Sequence, residues 1–279
     1  MRPRGVLVAT LAQVFLVCVS CGGPVTPTPP VVVPNDAPKI TAISVAAPRV
    51  EAGESVTVAA VVTDAETPVG QLAFAWTASL AGTFSGTGAE VAWRPAADVI
   101  TPAVATITLT VVERYSVPVA GGGSQTRENT VSQTATVNVN NSLKETTNLA
   151  LSFLGDFANS TIPADVCVRN FTDKCRGKAD EYNDIVKDRA LYRITGSSFH
   201  VEKVELDESR THAVIWAPCQ FTDIDLQRGT TFSSSGVCLM TAVYEPYRWW
   251  LCNSNWCDSL GGCAPSFRSR SKRLVAGRP

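Results

Sequence analysis

Between Lys39 and Asn140 apolar and polar residues alternate in short runs. Examples are Ser55-Val-Thr-Val-Ala-Ala-Val-Val-Thr63, Leu72-Ala-Phe-Ala-Trp76, Val91-Ala-Trp93, Val104-Ala-Thr-Ile-Thr-Leu-Thr-Val-Val112 and Thr134-Ala-Thr-Val-Asn-Val-Asn140. A period of two, rich in β-branched residues and broken by Gly, Pro, Asp and Ser about every dozen positions, predicts an all-β sandwich over 39–140. Leu72, Phe74 and Trp76 fall on one face, which makes Trp76 the expected core anchor. Gly121-Gly-Gly-Ser124 reads as a flexible hairpin loop; a phosphate cradle would need a helix after it, and none follows.

Near Asn140 the period changes, placing a domain boundary there. Ser142-Leu-Lys-Glu145 has capping-box spacing, and Leu149, Phe153 and Phe157 recur every fourth residue with Leu154 beside them, predicting an amphipathic helix. A second helix is expected over Lys178–Asp188, behind Gly177, with Tyr182, Ile185 and Val186 at helical spacing up to Arg189. Strands follow at 191–194, 199–206, 213–221, 237–244 and 248–252. Helices first and strands afterwards predict an α+β domain over 141–264 with a curved antiparallel sheet.

The first residues follow a third pattern. Arg2 and Arg4 precede an apolar run through Val19, and small residues follow it, which is the grammar of an export signal over 1–20. The run is too short for a permanent membrane helix, which needs about 20 residues. Cys18-Val-Ser-Cys21 resembles the lipobox of bacterial lipoproteins, with Cys18 where that family favours Leu. The resemblance implies lipidation at Cys21, a membrane anchor and an outer-membrane address, periplasmic or surface-exposed, since Gly22 is not the aspartate of an inner-membrane retention signal. Cleavage after Ser20 to a soluble secreted protein is the alternative. Residues 21–38 then hold the anchor cysteine and a stalk, in which six prolines among positions 24–38 exclude helix and interior strand. At polyproline rise the stalk is about 45 Å long.

Composition narrows the functional classes. The chain of 279 residues is 45% hydrophobic and 18% charged, which is globular. Loss of Arg2 and Arg4 leaves 22 basic against 25 acidic residues, no electrostatic footprint for nucleic acid. The cations that remain are concentrated at the end: Arg268, Arg270, Lys272, Arg273 and Arg278 lie in an acid-free tail, 265–279, read as a solvated, disordered end with anionic lipid or polysaccharide as the alternative contact.

Seven cysteines, Cys167, Cys175, Cys219, Cys238, Cys252, Cys257 and Cys263, follow the anchor. In an exported protein they are expected to oxidise, with one thiol left over. Spacing suggests Cys167 with Cys175, Cys219 with Cys238 across a hairpin centred on Arg228-Gly229, and two of the last three together. Cys252-x4-Cys257-x5-Cys263 lacks zinc spacing and a nearby histidine, so disulfide is preferred to metal. No metal or other cofactor is expected.

Two further resemblances concern the domains. Asp64-Ala-Glu-Thr-Pro-Val-Gly-Gln-Leu-Ala-Phe-Ala-Trp76, Gly82-Thr-Phe-Ser-Gly-Thr-Gly88 and Val91-Ala-Trp93-Arg-Pro95 resemble the polycystic-kidney-disease (PKD) and related immunoglobulin-like modules of bacterial surface proteins. That implies a spacer or adhesive role; a plain turn at Asp64 is preferred to calcium, which needs six or more oxygens. The ending Val243-Tyr-Glu-Pro-Tyr-Arg-Trp-Trp-Leu-Cys252 resembles the nuclear transport factor 2-like fold. This implies a cone of helices and sheet, with Gly177–Arg189 lining it. Trp249 and Trp250 point to opposite strand faces.

Candidate chemistry is sparse. No Gly-x-Ser-x-Gly, P-loop or His-Glu-x-x-His motif occurs, and no catalytic residue is assigned. The enzyme alternative pairs an inward His200 with Asp184 or Glu205 in the cone cavity, while His212 is read as a surface residue. The stronger pattern is aromatic. Tyr247, Trp249, Trp250 and Trp256 crowd the last strand and an expected disulfide-braced loop, and such residues suit a protein partner or sugar rings. The expectation is a non-enzymatic envelope lipoprotein whose sandwich presents a cone domain that binds a partner or small ligand. The alternatives are a periplasmic enzyme and a carbohydrate- or peptidoglycan-binding surface protein.

Overall fold

The computed structural model describes residues 35–119 and 122–257 and the backbone of 263–265. The export signal, Cys21, most of the stalk, Gly121 and the basic tail from Ser266 onward lie outside the described residues. By contacts the chain forms two units, Met1–Asn35 with Tyr115–Arg127, and Asp36–Arg114 with Glu128–Pro279. In the first, a turn closes between the ends of two long strands, with Gly122 and Gly123 both at left-handed φ (91° and 106°) that a side chain disfavours.

The second unit begins with eight strands: β1 (Lys39–Val45), β2 (Arg49–Glu51), β3 (Val56–Thr63), β4 (Ala73–Ala78), β5 (Gly82–Ser85), β6 (Glu90–Pro95), β7 (Ala103–Pro118) and β8 (Ser124–Asn140), the last two reaching into the first unit. They make two four-stranded sheets, in the orders β1-β3-β6-β5 and β2-β8-β7-β4. Alternation buries one face of each: Val58, Val91 and Trp93 from the first sheet meet Ile107, Val137 and Val139 from the second. Trp76 is not the centre of this core. It is half-buried, its Nε1 donating to the Gly88 carbonyl at 3.0 Å, and the fully buried ring is Trp93, because β4 is an edge strand and β6 an inner one. At Asp64 the carboxylate accepts the amides of Glu66 and Thr67 (2.9 and 2.6 Å), a side-chain-capped turn.

The remainder contains α1 (Ser142–Ala158), α2 (Ala164–Cys167) and α3 (Gly177–Leu191), followed by β9 (Tyr192–Phe199), β10 (Lys203–Leu206), β11 (His212–Asp225), β12 (Thr231–Glu245), β13 (Arg248–Cys257) and β14 (Cys263–Pro265). The strands form one antiparallel sheet, β10-β11-β12-β13-β14, with β9 pairing the far half of β11. Helix α1 lies across it. Phe153, Leu154 and Phe157 meet Phe171, Phe221, Met240, Leu251 and Trp256 in one core, with edge-on contacts between Phe153 and Phe171 (5.1 Å) and between Phe157 and Phe221 (5.5 Å).

The start of α1 differs from the expected capping box by one residue. Asn141 is the cap, accepting from the Lys144 amide at 3.0 Å, and Glu145 reaches back to the Asn141 amide at 2.8 Å. Ser142 is occupied elsewhere: its amide and hydroxyl both donate to Glu51 of β2 (2.8 and 2.6 Å), while Trp249 Nε1 donates to its Oγ at 3.2 Å. The same seam holds Arg49 over the Tyr244 ring (4.1 Å) and a two-pronged Arg210–Glu54 pair (2.7 and 2.8 Å). Polar groups of β2 and its turn thus clasp the helix-containing half to the sandwich.

The cysteines also depart from expectation. Cys167 is not joined to Cys175: it is a free thiol, fully buried in α2, its Sγ near the Asp156 carbonyl and Arg189 (3.4 and 3.3 Å). Burial, as the dominant influence, raises its pKa. Cys175, at the entrance of α3, is instead bonded to Cys252, the extra residue of a β-bulge in β13. Cys219 and Cys238 are bonded across the β11–β12 hairpin. Their register partners are Gly236 and Ala217, so the link runs diagonally. Cys257 is disulfide-bonded, and its register partner is Cys263.

Candidate functional site

Helix α3 is held by a close backbone contact and a covalent link at its first turn. A Cβ at Gly177 would run into the Cys252 carbonyl and Cys252–Asn253 backbone, so only glycine permits this approach, and the Cys175–Cys252 bond closes next to it. These two contacts set the rotation of the helix. The inward face is therefore Gly177, Glu181, Asp184 and Ile185, whereas Tyr182 and Val186 are exposed, contrary to the stripe the sequence suggests.

Outward, α3 and α2 border a groove of about 680 Å³. Val168, Ala179 and Tyr182 supply apolar surface, and Arg169, Lys174, Arg176 and Lys178 outnumber Asp165 and Asp173 around it. Lys178 is paired with Asp173 (2.7 Å), Arg169 with Asp156 (2.5 Å) and Lys174 with Glu245 (3.5 Å); Arg176 has no ion pair among the described residues. Three of the four cations are thus already paired, and Arg176 is the one without an ion pair among the described residues.

Inward, Glu181 is 1% exposed. Ser254 Oγ donates to its Oε2 at 2.6 Å, and its Oε1 has no hydrogen-bond partner. Burial, with the nearby Asp184 and Asp188 adding to it, pushes its carboxyl up to about 8, so it holds a proton at neutral pH.

The four aromatic candidates separate. Trp249 (3% exposed) and Trp256 (6%) are core residues. Trp256 is not on a loop: β13 extends through Cys257, placing the indole opposite Cys238 and 6.0 Å from the Phe221 ring. Trp250, on the other strand face, is half-buried beneath the Arg248 guanidinium (3.5 Å). Tyr247 is 65% exposed at the hairpin tip with φ 77°.

The proposed catalytic pair is not assembled. His200 is exposed in the β9–β10 connection, Glu205 is exposed and paired with Lys203, and Asp184 is buried on α3. His212 is exposed beside Asp207, whose carboxyl is held well below the usual range chiefly by the Ser209 hydroxyl and the His212 amide. Among the described residues no group of three or more His, Cys, Asp or Glu could hold a metal, and no helix is long and apolar enough to cross a membrane.

Sequence reasoning placed Gly177–Arg189 along the cone and assigned no role to Glu181, Arg189 or the groove cations. Arg189 donates to the carbonyls of Asp156, Phe157 and Asn159, orphan acceptors at the end of α1, and to that of Ile162 in the turn beyond it. A signal for Glu181 was present: Gly177, Glu181, Asp184 and Asp188 share one helical stripe.

No family model and no curated protein matches the chain. Among solved structures it is similar to a ketosteroid isomerase-like protein from Erwinia carotovora atroseptica SCRI1043, at 13% identity over 41% of this chain and 94% of that one (TM-score 0.37). It is also similar to a conserved protein from Planctomyces limnophilus DSM 3776, at 11% identity over 40% and 91% (TM-score 0.33). An Ntf2 like protein involved in plasmid conjugation matches at 10% identity over 56% and 71% (TM-score 0.24).

Proposed function

We propose that this is a non-enzymatic, lipid-anchored envelope protein in which an immunoglobulin-like sandwich carries a nuclear transport factor 2-like binding domain, and that the α2–α3 groove takes an acidic segment of a protein partner. The observation that carries this reading is the groove itself: about 680 Å³, beside apolar Val168, Ala179 and Tyr182, with Arg176 unpaired among the described residues and three further cations in exchangeable ion pairs, next to the Cys175–Cys252 disulfide. Rigid, pre-placed charge favours binding because little ordering cost remains when the partner arrives. The interior of the same domain is occupied by its own rings, Phe153, Phe157, Phe171, Phe221 and Trp256, which directs binding to the outside. The disulfides suit an oxidising compartment.

The test uses the full chain expressed in a lipoprotein-processing bacterium. Cys21→Ala is expected to move the protein from the detergent phase to the aqueous phase; continued detergent partitioning defeats the anchor. Affinity purification from solubilised envelopes is expected to retain a discrete partner that Arg176→Glu with Lys174→Glu releases. A partner retained equally by that variant, or none at all, defeats the groove.

A further inference from the structure

An amphipathic helix of a globular domain ordinarily hides its apolar stripe and shows its polar face. Helix α3 does the reverse. Ala179, Tyr182, Val186 and Ala190 recur at steps of three, four and four, the spacing of one helical face, and all four are exposed, Tyr182 at 41% and Val186 at 46%. Glu181 and Asp184 take the buried side with Ile185. Gly177 against the Cys252 backbone and the Cys175–Cys252 bond hold this rotation, so the helix cannot turn to hide the stripe. At 1.5 Å per residue the stripe is about 17 Å long, or three turns.

The stripe is continuous with the outer groove. Ala179 and Tyr182 line the groove together with Val168 and Arg169, and Val186 and Ala190 carry the same helix face beyond it. Along one flank run Arg176, Asn183 and Lys187, seven and four residues apart and all exposed, with Asp180 as the one acid among them. Neither Arg176 nor Lys187 has an ion pair among the described residues. An apolar stripe with a cationic flank matches a second helix that has apolar residues at i, i+3 or i+4 and i+7 and carboxylates along one side. An extended segment turns alternate residues to opposite sides and fits that spacing poorly.

We propose that the outer face of α3 docks an amphipathic helix of a partner protein, about three turns long, whose apolar stripe packs on Tyr182 and Val186 and whose carboxylates meet Arg176 and Lys187. This rests on the reading of the α2–α3 groove as a site for an acidic partner segment, and it gives that segment its form. Tyr182 is the anchor, since its ring offers a large contact area and loses little side-chain freedom on docking. With α3 fixed covalently at its first turn, the ordering cost falls on the incoming helix.

The test titrates the full chain against three fluorescein-labelled synthetic peptides of equal length. The first carries Leu at three-four-four spacing with Glu along one flank, the second is its scrambled isomer, and the third has Lys in place of Glu. Fluorescence anisotropy is expected to show the first bound at least tenfold more tightly than either other peptide, its helicity by circular dichroism rising on binding. Val186→Asp and Tyr182→Ser, both at exposed positions, are each expected to weaken it at least fivefold with an unchanged urea midpoint, and Arg176→Glu with Lys187→Glu at least tenfold. Equal binding of the first two peptides, lost on Arg176→Glu but indifferent to Val186→Asp, overturns the docked helix and leaves the acidic groove reading standing. Equal binding of the first and third, lost on Val186→Asp, supports the docked helix and overturns the acidic reading. Failure to bind the first peptide overturns the proposal. So does a dimer in sedimentation that Val186→Asp dissolves, since a second copy of the chain then covers the stripe.

Discussion

Two glutamates are buried to nearly the same degree, one in each half of the molecule, and their surroundings differ. Glu113 of the sandwich accepts from Thr67 Oγ1 at 2.5 Å on one oxygen and from Asn129 Nδ2 at 3.0 Å on the other. Glu181 of the helix-containing half has Ser254 on one oxygen and nothing on the other. The sandwich gives its buried glutamate a partner on each oxygen, holds no cysteine in the 39–140 range, and follows its alternation into two sheets, although Trp93 Nε1 and Asp64 Oδ2 are buried there without a hydrogen-bond partner. The other half buries an acid it does not satisfy and depends on covalent links to place α3. Unsatisfied buried polarity costs stability wherever it occurs, so the half with Glu181 carries a cost at its buried carboxyl that the sandwich, with Glu113 paired on both oxygens, does not.

The largest expected difference lies in the aromatic core of the helix-containing half. Phe153→Ala removes a fully buried ring that touches Phe157 and Phe171, and a loss of about 3–5 kcal/mol is expected from the urea midpoint. A loss under about 1 kcal/mol would mean that this core is loosely packed, erasing the distinction from surface positions. Next, Cys175→Ser with Cys252→Ser frees a 77-residue separation, and about 2–4 kcal/mol is expected. Hydrogen exchange sharpens the comparison further. Amides of α3 and β13 are expected to lose protection, while β6 and β7 of the cysteine-free sandwich keep theirs; equal loss in both halves contradicts the division.

Legibility followed the same division. In the sandwich each strand's inward face was written in its own alternation, so Val58, Trp93, Ile107 and Val139 could be read locally. The choice between Trp76 and Trp93 could not, because whether a strand is edge or inner depends on pairing order. In the other half the phenylalanines of α1 were legible as a stripe, and the opposite orientations of Trp249 and Trp250 as strand parity. The face of α3 was not. Its hydropathy favoured Tyr182 and Val186, and it was a contact seventy-five residues away, Gly177 against the Cys252 carbonyl, that turned Glu181 inward. The Cys175–Cys252 partnership was hidden for the same reason, since a bulge that leaves Cys252 out of register cannot be read from spacing.

A smaller effect distinguishes the two glutamates directly. The folded state holds the Glu181 proton up to about pH 8, against an ordinary value of 4.5. Across that window the unfolded chain binds fewer protons, so stability falls as pH rises from about 4.5 through 8. Between pH 6 and 9 the fall is on the order of 2 kcal/mol, and Glu181→Gln is expected to flatten it. A urea midpoint that keeps the same slope in the variant assigns the pH dependence to other groups.

The smallest effect tests whether the halves can be compared as parts of one body at all. Glu51 takes both the amide and the hydroxyl of Ser142, at the positive end of α1, and the same hydroxyl oxygen accepts from Trp249. Ser142 is 1% exposed, so Glu51→Ala strands a buried donor and an uncapped helix amide, at a cost of about 1–2 kcal/mol. Arg210→Ala breaks only a pair whose side chains are 37% and 54% exposed, and under about 1 kcal/mol is expected. If the clasp couples the halves, tryptophan fluorescence from the sandwich and from β13 will report one coincident transition, which Glu51→Ala shifts as a whole. Two transitions, with Glu51→Ala moving neither, would show that the seam joins the halves without coupling their folding.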